Sequence, residues 1–120
     1  MRRNLDAPGQ LAPNEFERAV LERIAINQPS LRQHVGHLHV LSREFTGVGS
    51  FTNFACEDSG LESQRQQFVL NGRIVMPSVP NGLGAALFSR GGRPKCLEIF
   101  SYGEDHWDGV FDGFSIDDGA

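Results

Sequence analysis

The chain has 120 residues, of which 39% are hydrophobic and 22% charged, and its formal net charge is −4. This length and composition predict one globular domain over residues 1–120, with a core that needs no disulfides or structural metal. No apolar run approaches the roughly 20 residues that span a bilayer, and no apolar segment follows the basic start at residues 1–3. A membrane span and a signal peptide are therefore not predicted, and a cytoplasmic location is the expectation.

The charges are unevenly distributed along the chain. From Glu98 to the last residue there are seven acids and no Lys or Arg, whereas residues 1–97 carry the other eight acids and all eleven basic residues. Phosphate contacts need Lys and Arg, so this acidic segment is not expected to bind nucleic acid. It favours a basic protein partner, whose approach it would accelerate, or else it is a solvated surface that keeps the protein soluble.

Two cysteines, Cys56 and Cys96, form no CxxC pair and are too few for a disulfide framework. We expect both to be free thiols that serve as small core side chains. No nucleophile-elbow motif accompanies them, so no catalytic residue is assigned.

The first part of the chain is predicted to be helical. Residues 1–12 show little pattern and are expected to form a mobile lead-in, and residues 13–36 are expected to form two helices. Asn14 and Glu17 have the spacing of a capping box, and an apolar residue recurs every fourth position thereafter, at Phe16, Val20 and Ile24. Pro29 ends this helix.

A second, short helix follows Pro29. In "SLRQ", Ser30 is predicted as its cap and Gln33 as the other half of a capping box. Gly36 is a suitable stop.

Residues 37–116 are predicted to be rich in β-structure. Two apolar stretches around "TGVG" predict a hairpin over residues 37–56, and Asn71-Gly72 between "QFVL" and "RIVM" predicts a second. "PSVPNGLG", at 77–84, has two prolines and two glycines and is predicted to be a loop.

The clearest hairpin signal is "AALFSR-GG-RPKCLEIFSY", in which two apolar strands flank Gly91-Gly92. "VFDGFSI" predicts a last strand or a segment over the core. The predicted fold is α+β, with two N-terminal helices packed on a mainly antiparallel sheet of five to six strands.

The stretch "YGEDHWDG" follows this hairpin and holds the only Tyr and the only Trp of the chain. Aromatic anchors surrounded by charge are typical of binding hot spots. We therefore predict a binding surface that is formed by Tyr102, Glu104, Asp105, His106, Trp107 and Asp108.

A small hydrolase or a metal-dependent enzyme is the alternative. His37 and His39 are two positions apart and would share one face of a strand, and His106 would add a third ligand. No HExxH or paired Cys/His set is present, so neither a metal site nor a cofactor is predicted. The G-x-G stretches at 47–49 and 82–84 do not complete a phosphate-binding motif, and the chain has one lysine. Arg43 and Glu44, before the "TGVG" turn, are expected either to form cross-strand pairs or to line a functional edge.

Three stretches, "SREFTGVGSFTNF", "GLGAALFSRGG" and "LEIFSYGEDHW", resemble a set of small bacterial proteins of unknown function. The resemblance covers residues 38–107 and implies a shared sheet, but it implies no catalytic residue. "GEDHWDG" is more acidic than the pattern of that set.

Size and acidity make the chain similar in kind to the immunity proteins of bacterial toxin systems, which neutralise a toxin domain by binding. The sequence therefore favours a non-catalytic binding protein, and its most specific form is an immunity-type inhibitor of a basic toxin domain. A self-associating structural or regulatory protein that pairs through a sheet edge is a third hypothesis.

Overall fold

A computed structural model of the protein describes residues 12–55 and 65–117. Residues 1–11 of the predicted lead-in, and Cys56, lie outside these residues. The helices are α1 (Glu15–Ile24) and α2 (Pro29–Val35), joined by a 3₁₀ turn (Ala25–Asn27), and a second 3₁₀ turn spans Tyr102–Glu104. The strands are β1 (Val40–Phe45), β2 (Gly49–Phe54), β3 (Arg65–Val69), β4 (Arg73–Met76), β5 (Val79–Arg90), β6 (Arg93–Ser101) and β7 (Ser115–Asp117).

The capping box predicted for α1 is confirmed. The Asn14 side chain accepts a hydrogen bond from the Glu17 backbone N–H at 2.8 Å, and Glu17 Oε1 accepts one from the Asn14 N–H at 2.9 Å. These two bonds satisfy donors that the first turn of a helix leaves without partners.

The capping box predicted for α2 is wrong. Pro29 is the first residue of this helix, and Gln28 precedes it without a side-chain cap. Proline suits that position because its φ is already helical and its missing N–H would have no helical partner. Ser30 therefore lies inside the first turn, where its carbonyl oxygen accepts a hydrogen bond from Gln33 Nε2 at 3.3 Å.

All strand pairs are antiparallel, in the order β1-β2-β6-β5-β4-β7, and β3 pairs with β5 as well. The α+β class, the two helices and the antiparallel sheet are thus confirmed, and the described residues form seven strands instead of five to six. The hairpins β1–β2 and β5–β6 were both expected. Gly91 and Gly92 have φ of 59° and 80°, which a turn of two residues requires and which glycine adopts without strain.

The predicted Asn71-Gly72 hairpin is wrong. β3 pairs with residues 86–90 of β5 and β4 with residues 79–83, so both follow the same side of one long strand. Gly72, at φ 127°, lies in the break between β3 and β4, and the chain runs on past it in the same direction instead of reversing.

The stretch 77–84 is mostly strand and not the predicted loop. Pro77 and Ser78 form the turn between β4 and β5. Pro80 fits within β5 because β6 accompanies β5 only as far as the Leu83–Ser101 pair, so the proline lies on a locally open edge.

The two faces of the sheet differ. The core cluster contains side chains of one face only, which we call the inner face, among them Leu83, Leu87, Leu97 and Ile99. The apolar residues of α1 and α2 belong to the same cluster. Successive strand residues point to opposite sides, so the outer face carries Glu44, Phe51, Ala86, Phe88, Cys96, Glu98 and Phe100. Ala86 is buried yet is no part of the core cluster, as expected for a small residue on the outer face. Within the described ranges, no helix is long and apolar enough to cross a membrane.

Candidate functional site

The predicted binding stretch is an ordered loop that is attached to two other parts of the molecule. Asp105 Oδ2 accepts hydrogen bonds from the backbone N–H and the side-chain Nδ2 of Asn81, both at 3.0 Å. The ring of Tyr102 lies 5.5 Å from that of Phe100, edge to face, and Tyr102 is 39% exposed. Gly103 makes the bend at φ 70°. The carboxylate of Asp105 is therefore engaged in holding the loop.

Trp107 lies in the core, so the expectation that it is an exposed anchor is wrong. It is 2% exposed, and its ring centroid lies 5.6–6.1 Å from those of Phe16, Phe45 and Phe111. The indole Nε1 donates to the Val110 carbonyl oxygen at 3.1 Å, and the backbone N–H donates to that of Gly47 at 2.9 Å. With its polar groups satisfied, the ring is buried and fixes the acidic segment to α1.

Other members of the predicted set remain at the surface. His106 and Asp108 are exposed, and Asp108 Oδ1 accepts from the Val110 N–H at 3.1 Å, which closes a local turn. The Glu104 side chain is outside what the structure describes. Of the six predicted residues, Tyr102, His106 and Asp108 thus present side chains for binding.

The alternative metal set is not assembled. His37 and His39 line one surface cavity of about 500 Å³, together with His34 and Arg93. His106 precedes Trp107, whose backbone N–H donates to the Gly47 carbonyl oxygen beyond the far end of β1. The six residues of β1 span roughly 20 Å, which separates His106 from His37 and His39. In the part of the chain that the structure describes, no three or more His, Cys, Asp or Glu are grouped to hold a metal ion.

A buried ion pair links Arg43 of β1 to Glu17 of α1, so for Arg43 both expectations, a cross-strand pair and a functional edge, are wrong. Glu17 is fully buried, and Arg43 donates to both its carboxylate oxygens, from Nε at 2.8 Å and from Nη2 at 2.7 Å. The Thr52 hydroxyl donates to Glu17 Oε2 at 2.7 Å. Burial by itself raises the pKa of Glu17, but hydrogen bonds from Arg43, the Asn14 backbone and Thr52 outweigh it, so the pKa is lowered. The pair is structural, and the sequence showed only the capping half of it.

Glu44, by contrast, lies on the outer face. Together with Phe51 and Glu98 it forms what we call the acidic row. Glu44 is the register partner of Phe51, and Phe51 is that of Glu98, so an aromatic ring stands between two acids on three adjacent strands. Asn53 Nδ2 donates to Glu44 Oε2 at 3.2 Å and to the Ser42 hydroxyl at 3.0 Å, which orients the first acid. Glu44 is exposed, and Phe51 and Glu98 are half-buried.

Cys96 lies next to this row and is half-buried on the outer face, not in the core as expected. Burial raises the pKa of its thiol, and the negative charges of Glu98 and Glu44 raise it further. A thiol that is held protonated is a poor nucleophile. The same shift means that both carboxylates act on one small area of the outer face.

No protein-family model, curated protein or solved structure matches this chain. The resemblance to small bacterial proteins of unknown function therefore stays a prediction.

Proposed function

We propose that this chain is a non-catalytic binding protein whose docking surface is the acidic row and the phenylalanines beside it. The observation that carries the proposal is the position of Phe51, half-buried between Glu44 and Glu98 on the face of the sheet that lies outside the core. Phe88 and Phe100 are half-buried on the same face. Half-exposed aromatic rings beside charge are the usual composition of a binding hot spot.

The charges of the row favour a basic partner. A Lys or Arg side chain placed over the ring of Phe51 would gain a cation–π contact and would lie between two carboxylates. The two carboxylates flank the ring, so a cation over the ring would be attracted by both of them. A partner with an exposed Arg on a basic surface therefore fits this site better than an acidic or neutral partner does.

An immunity-type inhibitor of a basic bacterial toxin domain is the sharpest form of this proposal. The seven acids from Glu98 onward, with no Lys or Arg among them, support it. The exposed Asp108 and Asp112 would extend the negative potential and accelerate the encounter. If the chain is encoded beside a toxin gene, the product of that gene is the first partner to test.

The test compares Glu98→Gln with Glu22→Gln, an exposed acid on α1 that serves as the matched control. A nonapeptide of arginine is titrated into the full chain, and backbone amide shifts are followed by NMR. We expect shifts around residues 44, 51 and 98, and at least a tenfold weaker affinity for the E98Q variant but not for E22Q. Shifts confined to residues 105–112, or equal losses in both variants, would contradict the proposed surface.

The same pair of variants serves to identify the natural partner. A captured protein counts as a partner only if E98Q loses it while E22Q retains it, and if the purified proteins reproduce that difference by calorimetry. Captured proteins that all bind E98Q as tightly as the unsubstituted chain would overturn the proposal.

Self-association is the second candidate, because β1 is a six-residue edge strand with Leu41 and Phe45 exposed at 53% and 52%. Such an edge presents backbone donors and acceptors to a second chain. A dimer in sedimentation at micromolar concentration that is lost with Leu41→Pro would support it, and a strict monomer would exclude it.

A further inference from the structure

A cavity of about 580 Å³ opens at the end of the sheet where β5 begins and β6 ends. Four separate parts of the chain meet there: Asn71 to Arg73 at the start of β4, Asn81 of β5, Tyr102 and Gly103 beyond β6, and Asp117 of β7. The volume lies within the range of small-molecule pockets, about 300–1,000 Å³. None of the three residues of the acidic row lines this cavity, so it is a site apart from the proposed docking surface.

Two glycines of β5 make room for two side chains of the cavity. A Cβ built on Gly82 would lie 2.7 Å from Cγ and Cδ of Arg73, and one built on Gly84 would lie 2.6 Å from Tyr102 Oη. Any larger residue at either position would therefore displace the side chain that rests there. A glycine inside a strand weakens the strand and often marks a place where a ligand comes close. The G-x-G stretch at 82–84, which completes no phosphate-binding motif, thus shapes this cavity.

The aromatic ring and one amide of the cavity are held in place by residues that do not line it. The ring of Tyr102, which is 39% exposed, packs edge to face against Phe100 at 5.5 Å between centroids. Asn81 Nδ2 donates to Asp105 Oδ2 at 3.0 Å, and a Cβ built on Gly103 would lie 2.7 Å from that nitrogen. The ring and the amide are thus oriented before a ligand arrives, which lowers the entropic cost of binding.

The other polar side chains of the cavity place donors and acceptors next to one another. Arg73 and Asp117 are register partners on β4 and β7, so their side chains leave the sheet side by side. A guanidinium has several donors and a carboxylate several acceptor positions, so each can serve a ligand hydroxyl in addition to a partner within the protein. The amide of Asn71, in the break before β4, can both donate and accept.

We propose that this cavity binds a neutral sugar, as one unit of a small saccharide. Neighbouring sugar hydroxyls need donors and acceptors side by side, and the pair of Arg73 and Asp117 and the two asparagine amides supply both. The C–H groups of a sugar ring need a flat apolar surface. The face of an aromatic ring is negative and attracts such groups, and Tyr102 presents a half-exposed ring here. A nucleobase fits less well, because it has two flat faces and the described lining contains one ring and no aliphatic side chain.

The test titrates five disaccharides, namely cellobiose, lactose, maltose, mannobiose and chitobiose, into the full chain and follows backbone amide shifts by NMR. Each is added to about 20 mM, which suffices to measure a Kd of about 1 mM. We expect saturable shifts around residues 71–73, 81 and 102–103 with at least one of them. Tyr102→Ala should weaken this binding about tenfold, because the ring supplies the apolar contact. The matched control is Val110→Ala, which truncates a side chain of the same segment that is 47% exposed and lies outside the lining.

A second pair of variants tests the space over Gly84. Gly84→Ala keeps every lining side chain but displaces Tyr102, so it should weaken binding about as much as Tyr102→Ala does. Gly36→Ala is its control, because a Cβ there meets nothing within 4 Å. Circular dichroism checks that each variant folds, and if Gly84→Ala does not, Tyr102→Ala decides alone.

Three results would overturn the proposal. The first is the absence of saturable shifts with all five disaccharides. The second is full affinity in a folded Tyr102→Ala or Gly84→Ala variant. The third is saturable binding of adenine, titrated in parallel, without binding of any of the sugars.

Discussion

Two acids on opposite sides of the sheet, Glu17 and Glu98, have very different surroundings. Glu17, beneath the inner face, receives four hydrogen bonds, from two Arg43 nitrogens, the Thr52 hydroxyl and the Asn14 backbone. Glu98, on the outer face, has Phe51 beside it as register partner and another acid, Glu44, beyond that ring. A charge with all its partners inside the fold stabilises the fold. Glu98 and Glu44 flank one ring on the outer face, and this is the arrangement on which the proposed docking surface rests.

Truncating the buried aromatic of the acidic segment should have the largest effect. Trp107→Ala should lower the free energy of unfolding by about 3–5 kcal/mol, because it opens a cavity against Phe16 and Phe111 and removes an indole hydrogen bond. Urea unfolding measures this loss. Tyr102→Ala, at the half-exposed ring of the same segment, is the control and should cost about 1 kcal/mol or less. Equal losses for the two variants would mean that Trp107 is not a core residue.

Breaking the buried ion pair comes next. Arg43→Met should cost about 3 kcal/mol, the lower end of the range for a buried pair that loses one partner, because the Arg43 side chain is 24% exposed. The double change of Glu17→Leu with Arg43→Met should be less destabilising than Arg43→Met alone, because no buried charge is then left without a partner. If instead the double variant is less stable than Arg43→Met, the ion pair contributes more to the free energy of unfolding than its desolvation costs.

The pH dependence of stability tests the ionisation of Glu17. Its pKa in the folded protein is lowered below the ordinary 4.5 by the hydrogen bonds from Arg43, Asn14 and Thr52, which outweigh burial. The resulting stabilisation is complete above the unfolded pKa and is lost as the pH falls through the folded one. The stability advantage of the unsubstituted chain over Glu17→Gln should therefore be constant from pH 7 to 6 and shrink progressively below about pH 4.5. A difference that stays the same down to pH 3 would show that the pKa of Glu17 is not lowered in the folded protein, and a difference that grows as the pH falls would show that this pKa is raised.

Changes on the outer face should have the smallest effect on stability. Glu98→Gln should alter the free energy of unfolding by no more than about 0.5 kcal/mol, since it breaks no buried hydrogen bond. It should instead lower the pKa of Cys96 and increase its rate of alkylation at pH 8, because one of the charges that hold the thiol protonated is removed. The rate is measured with iodoacetamide in a Cys56→Ser background, so that Cys96 is the one thiol that can be alkylated. An unchanged rate would mean that burial alone sets the reactivity of this thiol.

Local patterns predicted the elements that depend on neighbouring residues. The capping box of Asn14 and Glu17 and the Gly91-Gly92 turn are each formed within a few positions, and both are where the sequence placed them. The hairpin at Asn71-Gly72 failed because the length of β5 decides where β3 and β4 pair, and that length is not a local property.

The site could be predicted only in part, for the same reason. Arg43 and Thr52 are 26 and 35 positions from Glu17, so no spacing rule connects them to the helix. The burial of Trp107 does have a signal in the sequence. Phe111 and Phe114 follow it at intervals of four and three, which is the pattern of an apolar cluster and not of an exposed anchor. The acidic row was invisible because its three members come from three strands.

The position of β6 has a consequence for the order in which the molecule folds. β6 lies between β2 and β5, and its register pairs with β2, such as Thr52 with Leu97, join residues roughly 45 positions apart. During synthesis the N-terminal helices and the first hairpin emerge long before this strand, and until it arrives the open side of β2 has no partner. We therefore expect refolding to be slower than for a helical protein of this size. We also expect the unfinished chain to be most prone to aggregation before β6 is synthesised, while one edge of β2 is unpaired.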